Sequence, residues 1–283
     1  RRPFGQLAKC FDPETEVLTT RGFERFDSVT GQILQVTGAG LATSSAKPFT
    51  QLYDGEMIVA DGSRLNFSVT PNHDMITVQG KIEAGDLYDQ ATTDASKWAI
   101  PRAPQSTRPD AQASDGSIQL AGYFLADGNH TGYHQFRVAV SRAYKIESLR
   151  ALMLHDNESL KADAGRVATM GERIIITHND KANFTYQFGL IEWLVNPDKS
   201  IKVEQLLNLS MRQARIFVDA MIEFDGSEPG TKTRRFHQTN RNVLQSFEIA
   251  AVHAGLSVSA RAARIEDPAA VTLAISEAAH FPV

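Results

Sequence analysis

Leu120-Ala121-Gly122-Tyr123-Phe124-Leu125-Ala126-Asp127-Gly128 is an apolar run, rich in small residues, that closes on Asp-Gly. A looser copy follows at Val218-Asp219-Ala220-Met221-Ile222-Glu223-Phe224-Asp225-Gly226. Leu, Met and Ala favour helix, and Gly is the preferred residue just past a helix C-terminus. Each copy therefore predicts a helix whose last side chain is an aspartate. Small residues at Ala121, Gly122, Ala126 and Ala220 let two such helices approach closely. Taken singly, either copy reads as an amphipathic helix that stops at an Asp-Gly turn. The pairing, with room between the copies for one small α/β half-domain, points to an internal duplication.

The aspartates are badly placed for stability. A helix C-terminus already carries partial negative charge, and a carboxylate adds to it. Two such ends brought together repel further and raise at least one pKa. A divalent cation removes the conflict. Two carboxylates at metal ions are also what in-line phosphodiester hydrolysis needs. The pattern resembles the LAGLIDADG (DOD-type) motif of homing endonucleases. By that resemblance Asp127 and Asp225 match the metal-binding catalytic acids, with Mg²⁺ as cofactor and a long double-stranded DNA site as substrate. Gly122 matches the helix-contact glycine, replaced by Ala220 in the second copy. Phe224 stands where the family usually has a small residue.

Composition sets outer bounds. At 283 residues and 42% hydrophobic content the chain builds one large domain or two ordinary ones. No apolar run is long enough to span a membrane, and Arg1-Arg2-Pro3-Phe4-Gly5 lacks a signal-peptide core. The single cysteine, Cys10, excludes an internal disulfide and fits a reducing, cytoplasmic setting. A net charge of −4 argues against indiscriminate nucleic-acid binding but leaves room for a basic patch. Both copies sit on one chain, so a monomer is expected.

Upstream, short β-like runs predict an all-β unit. They are the tail of Cys10–Phe23, then Gln32–Val36, Glu56–Ala60, Leu65–Val69 and Asp74–Val78, with turn signals between them. Thr70-Pro71-Asn72-His73 lies between two of these strands. A His there can polarise a peptide carbonyl or protonate a leaving amine, and a thiol such as Cys10 can attack the carbonyl before it. Each element alone also reads as a buried cysteine and an ordinary turn.

Together, Cys10 with Thr15-Glu16-Val17-Leu18-Thr19-Thr20 and Gly22, then Val69-Thr70-Pro71-Asn72-His73-Asp74-Met75-Ile76-Thr77, resemble the first two blocks of inteins. Lys81–Leu87 followed by Trp98–Pro101 resembles the segment that closes the N-terminal part of the Hint splicing fold. The resemblance implies an N-to-S acyl shift at Lys9–Cys10, with Thr70 and His73 activating that bond and no cofactor. Residues 1–9 are then a host (extein) remnant or a vector-derived tail. Residues 10–102 are the N-terminal part of a Hint domain, 103–116 a Pro/Ser-rich linker and 117–283 the endonuclease domain. The expected fold is mixed α and β: an all-β Hint-type domain followed by a pseudo-two-fold α+β LAGLIDADG domain.

Within 117–283 the first helix is expected from about Ser117. A strand at His134–Ser141, a helix at Tyr144–His155 and β runs at Arg173–His178 and Phe184–Phe188 follow. The second copy reads as a shortened repeat, with a strand at Arg234–His237, a helix at Asn242–Ala254 and a strand at Val258–Ile265. Lys199 matches a lysine that lies near the scissile phosphate in LAGLIDADG inteins, with Lys202 standing where proline is usual. From Lys199 to Arg264 the basic residues outnumber the acidic ones ten to six. Arg137, Lys232, Arg234, Arg235, Arg261 and Arg264 are the candidate DNA contacts, against the ordinary reading of solvated charge.

Nothing near His280-Phe281-Pro282-Val283 matches the C-terminal splicing blocks or the closing Hint strands. The chain is therefore expected not to splice alone, either as a truncated intein or as one half awaiting a separate C-terminal fragment. Two rivals remain: a degenerate LAGLIDADG protein that only binds DNA or RNA, and a Hint-type unit that only cleaves its own N-terminal bond.

Overall fold

In a computed structural model of the chain the described residues are 9–61, 66–94, 98–101, 103–132, 134–155, 175–176, 182–227, 234–261, 271–276 and 280–282. Most of the 1–9 segment, Lys232, Arg264 and all but two residues of the Arg173–His178 run lie outside them. The chain divides into two units. The first is 1–36, 42–104 and 278–283, and the second is 37–41 and 105–277.

The first unit is a set of antiparallel hairpins. They are β1 (Glu16–Thr19) with β2 (Gly22–Arg25), β5 (Ile58–Asp61) with β6 (Asn66–Val69), and β7 (Asp74–Thr77) with β8 (Gly80–Glu83). More and less exposed side chains alternate in β5 and β7. A further hairpin, β3 (Leu34–Thr37) and β4 (Gly40–Thr43), has its tip in the second unit. The core gathers Val69, Met75, Ala84 and Leu87, with Ile58, Phe67, Ile82, Trp98 and Ile100 against them. Two features correct the sequence reading. Ala84–Asp94 is a helix, α1, so the unit is not all-β. A strand at the chain end, β18 (His280–Pro282), pairs antiparallel with β9 (Ala99–Pro101). Residues 278–283 thus belong with the first unit, where the sequence division placed them in the second.

The second unit is a tandem duplication. Helix α2 (Asp115–Asp127) leads into β10 (Gly128–Gly132), β11 (Gln135–Val140), α3 (Ala143–His155), β12 (Ile175–Ile176) and β13 (Ala182–Gln187). A short helix, α4 (Val203–Asn208), links this half to the next. Helix α5 (Met211–Asp225) then leads into β14 (Gly226–Ser227), β15 (Arg234–Gln238), α6 (Arg241–His253), β16 (Ser257–Arg261) and β17 (Val271–Ser276). The two four-stranded sheets have the same order, β10-β11-β13-β12 and β14-β15-β17-β16. The second half, 211–276 against 115–187, is shorter in chain, as expected, but keeps the same four-strand order. Its last strand, Val271–Ser276, escaped the sequence reading.

Period-two patterning explains how each sheet is seated. Phe136 and Val138 are buried with their partners Tyr186 and Phe184, while Arg137 and Ala139 between them are exposed. In the other sheet Phe236 is buried opposite Leu273 and stacks on Phe247 of α6 at 4.1 Å. Helix starts are chemically marked. Ser114 caps α2, Ser210 and Gln213 form a capping box on α5, and Asn240 caps α6.

The 103–116 stretch is not a free linker. Gln213 accepts from Ala111 N–H and donates to the Ala111 and Ala113 carbonyls, while Arg212 forks onto Asp110 and Asp115. The segment is thereby tied to the start of α5.

Candidate functional site

The duplication puts two helix C-termini side by side. Gly122 of α2 faces α5 so closely that a Cβ there would lie 2.8 Å from Ala220 Cβ and 2.8 Å from the Phe217 carbonyl oxygen. One residue past each helix the chain turns into a strand. Gly128 and Gly226 do this in extended backbone, with φ of −75° and −104°, not in the left-handed cap that the Asp-Gly pattern implies. Space demands glycine here. A Cβ on Gly128 would meet Phe124 at 2.6 Å, and one on Gly226 would meet the Ile222 carbonyl at 2.4 Å.

The aspartates before these glycines share one electrostatic environment. Asp225 is pushed up to about 6, first by burial and then by the charge of Asp127. Lys145, Lys199 and a hydrogen bond from Gln238 Nε2 at 2.7 Å pull it back down. Asp127 forms an ion pair with Lys145 of α3. Lys145 and Gln238 were not singled out from the sequence. Lys145 has no motif around it, and Gln238 reaches Asp225 only because β15 returns beside α5.

Lys199 arrives by a strained route. Its φ of 65° is left-handed, a conformation costly for a residue with a Cβ. A tight loop holds it: Lys199 N–H donates to Asn196 O at 3.0 Å, and Asn242 of α6 donates to Asp198 O at 3.0 Å. The ammonium then donates to the Leu125 and Ala126 carbonyls at 3.1 and 3.3 Å, at the negative end of α2. Burial lowers its pKa, against the pull of Asp225 and Asp127.

Phe224 is absorbed by stacking. Its ring lies 4.0 Å from that of Tyr123 across the helix pair. The Tyr123 hydroxyl donates to Glu223 at 2.8 Å, and Ser148 of α3 donates to the other oxygen of that carboxylate.

The donor set fits a divalent ion. Two carboxylates act on one another here, their repulsion only partly offset at Asp225 by Lys145, Lys199 and Gln238, and Mg²⁺ takes few protein ligands. Among the described residues no group of three or more His, Cys, Asp or Glu joins them.

The candidate DNA contacts separate by strand face. Arg137 is exposed on the outer face of β11, paired with Thr185. Arg235 shares the outer face of β15 with His237, which sits between Ser227 Oγ at 3.2 Å and Thr272 Oγ1 at 2.9 Å. Arg234 lies on the opposite, inner face with buried Phe236, and pairs with Asp219 of α5 at 2.6 Å. Adjacent strand residues point to opposite faces, so Arg234 and Arg235 cannot both serve one surface. Arg261 pairs through its backbone with Thr272.

In the first unit Thr70 holds Cys10 from both sides. Thr70 Oγ1 accepts from Cys10 N–H at 3.1 Å, and Thr70 N–H donates to Cys10 O at 3.0 Å. Gln51 Nε2 lies 3.6 Å from Cys10 Sγ. Burial lowers the pKa of His73, while the Asp74 charge and the Lys9 backbone raise it. The Phe11 ring packs edge-on to His73 at 4.2 Å. Lys9 itself pairs with Asp74 at 2.6 Å. Cys10, Thr70 and His73, predicted as one group, are brought together.

No protein-family model matches the chain, and no curated protein matches it. Among solved structures it is similar to the homing endonuclease I-DmoI. The complex with DNA and manganese is 15% identical, covers 57% of this chain and 89% of that one, and has a TM-score of 0.37. The mesophilic variants of I-DmoI are 15% identical, cover 59% and 90%, and have a TM-score of 0.39. The complex with DNA and calcium is 14% identical, covers 59% and 85%, and has a TM-score of 0.39. At such identities and scores the likeness carries no functional weight by itself.

Proposed function

We propose that the second unit is a metal-dependent, site-specific DNA endonuclease of the LAGLIDADG kind, acting as a monomer on double-stranded DNA. The observation that carries this reading is the coupled pair Asp127 and Asp225 at the ends of two abutting helices in a duplicated fold. A pseudo-two-fold site suits a pseudo-two-fold substrate, the two strands of a duplex. Asp127 and Asp225 would hold the ion, and a bound Mg²⁺ supplies an activated water and a polarised phosphate. Lys199 carries positive charge to the same end of α2, where it attracts a phosphate. Arg137 and Arg235 on the outer sheet faces contact the DNA backbone.

The test starts from a cleavage selection on randomised plasmids to find the site. The full chain is then assayed beside Asp127→Asn and Asp225→Asn. Double-strand cutting that needs Mg²⁺ and falls at least ~100-fold in both variants supports the reading. Metal-independent binding without cutting sinks it and leaves the DNA-binding rival.

A second reading is favoured by the Thr70 clamp on Cys10. The first unit cleaves its own Lys9–Cys10 bond, as an intein-type unit does. Cys10 Sγ attacks the Lys9 carbonyl carbon, a C–S bond forms as the C–N bond breaks, and the thiol proton passes to the freed Cys10 amine. Thr70 orients that amide, and His73 handles the proton. Incubation with an added thiol, followed by mass spectrometry, checks this. Release of residues 1–9 is expected, and their retention overturns it.

A further inference from the structure

The charge conflict at the paired helix ends has an internal answer. Lys145 projects from α3 with its side chain only 10% exposed, and its ammonium is ion-paired with Asp127 Oδ2. The same ammonium lies 5.0 Å from the centroid of the Phe224 ring. Phe224 occupies the place that Ala126 holds in the first copy, so only the second helix offers an aromatic seat for a cation there. Ser148, one helical turn on, fastens α3 to Glu223 of the same helix. A buried ammonium held by a carboxylate, a ring and an anchored helix is a built feature, not a solvated lysine.

We propose that Lys145 is a resident cation of the metal-free site, which must yield Asp127 before a divalent ion binds and so sets the metal concentration at which the site loads. This rests on the reading of Asp127 and Asp225 as metal ligands. An ammonium and a divalent ion repel each other, so both cannot hold the same carboxylate at full strength. Phe224 keeps the displaced ammonium close, because the ring attracts it independently of Asp127. The device makes the free protein tolerant of its paired carboxylates and delays loading until metal is plentiful.

Mn²⁺ binding to the full-length chain, followed by the loss of the free-ion paramagnetic resonance signal, tests this without any cleavage assay. Lys145→Met is expected to bind Mn²⁺ about tenfold tighter than the unaltered chain, the size of one partly buried charge pair. Lys145→Arg, which keeps the charge, is expected to restore weaker binding. Unchanged or weaker affinity in Lys145→Met, with Asp225→Asn still abolishing binding, overturns the proposal and leaves the metal reading standing. Mn²⁺ binding indifferent to Asp225→Asn removes both. A second measurement needs no variant: acetylation of Lys145 by acetic anhydride, read by peptide mass spectrometry, should rise severalfold in saturating Mn²⁺. An unaltered yield overturns the proposal even where Lys145→Met fails to fold.

Discussion

Gly122 and Ala220 meet where α2 crosses α5, and a methyl on Gly122 would stand 2.8 Å from the Ala220 Cβ. The same methyl would lie 2.8 Å from the Phe217 backbone oxygen, which has no rotamer to escape into. Gly122→Ala is therefore expected to cost about 1–3 kcal/mol by overpacking. Urea unfolding of the full chain measures it. Adding Ala220→Gly should recover only part of the loss, because the carbonyl contact remains.

Asp225 gives stability a definite pH dependence. Its folded-state pKa is raised to about 6 from an ordinary 3.8, so folding takes up a proton between those values. Stability from this group is present at low pH and is lost as pH rises through about 6. Asp225→Asn should raise the melting temperature above that pH, in EDTA, and leave it unchanged near pH 4. An equal gain at both would mean that burial and the Asp127 charge are not the cause.

Phe224→Ala removes a ring that stacks on Tyr123 and seats the Lys145 ammonium. The cavity should cost about 3–5 kcal/mol. Chemical denaturation reads the loss, and Phe224→Leu should lose less.

Ser210 caps α5, completes a box with Gln213 and donates to Asp110. Ser210→Ala should cost about 1 kcal/mol from the cap alone. Faster proteolysis within 103–114 is the accompanying sign, because the same serine ties down that segment.

At the first unit's site, His73→Ala is expected to slow thiol-induced release of residues 1–9 by about 100-fold or more. Cys10→Ala should abolish release, and Thr70→Ala should slow it by misplacing the amide it now holds. Timed mass spectrometry separates the three.

Much of this was legible from residue order. The Leu120–Gly128 run and its copy announced two helices ending in Asp, and α2 and α5 end there. Alternation around Arg137 announced β11. Cys10, Thr70 and His73 were grouped from the sequence, and Thr70 hydrogen-bonds to both Cys10 and the His73 backbone. Other elements gave no local signal. Val271–Ser276 is a strand because β15 and β16 flank it, and the three-residue β18 exists only through its pairing with β9.

Periodicity and composition therefore determined the four long helices of the second unit, the presence of a duplication, and the two aspartates that close its paired helices, because those depend on near neighbours in the chain. Only the tertiary structure decided what surrounds those acids. Lys145 comes from a different helix, Lys199 from a strained loop, and Gln238 from a returning strand. It also separated Arg234, paired inward with Asp219, from Arg235 on the outer face. Burial and charge act through space, and spacing along the chain does not encode which distant side chain will fill it.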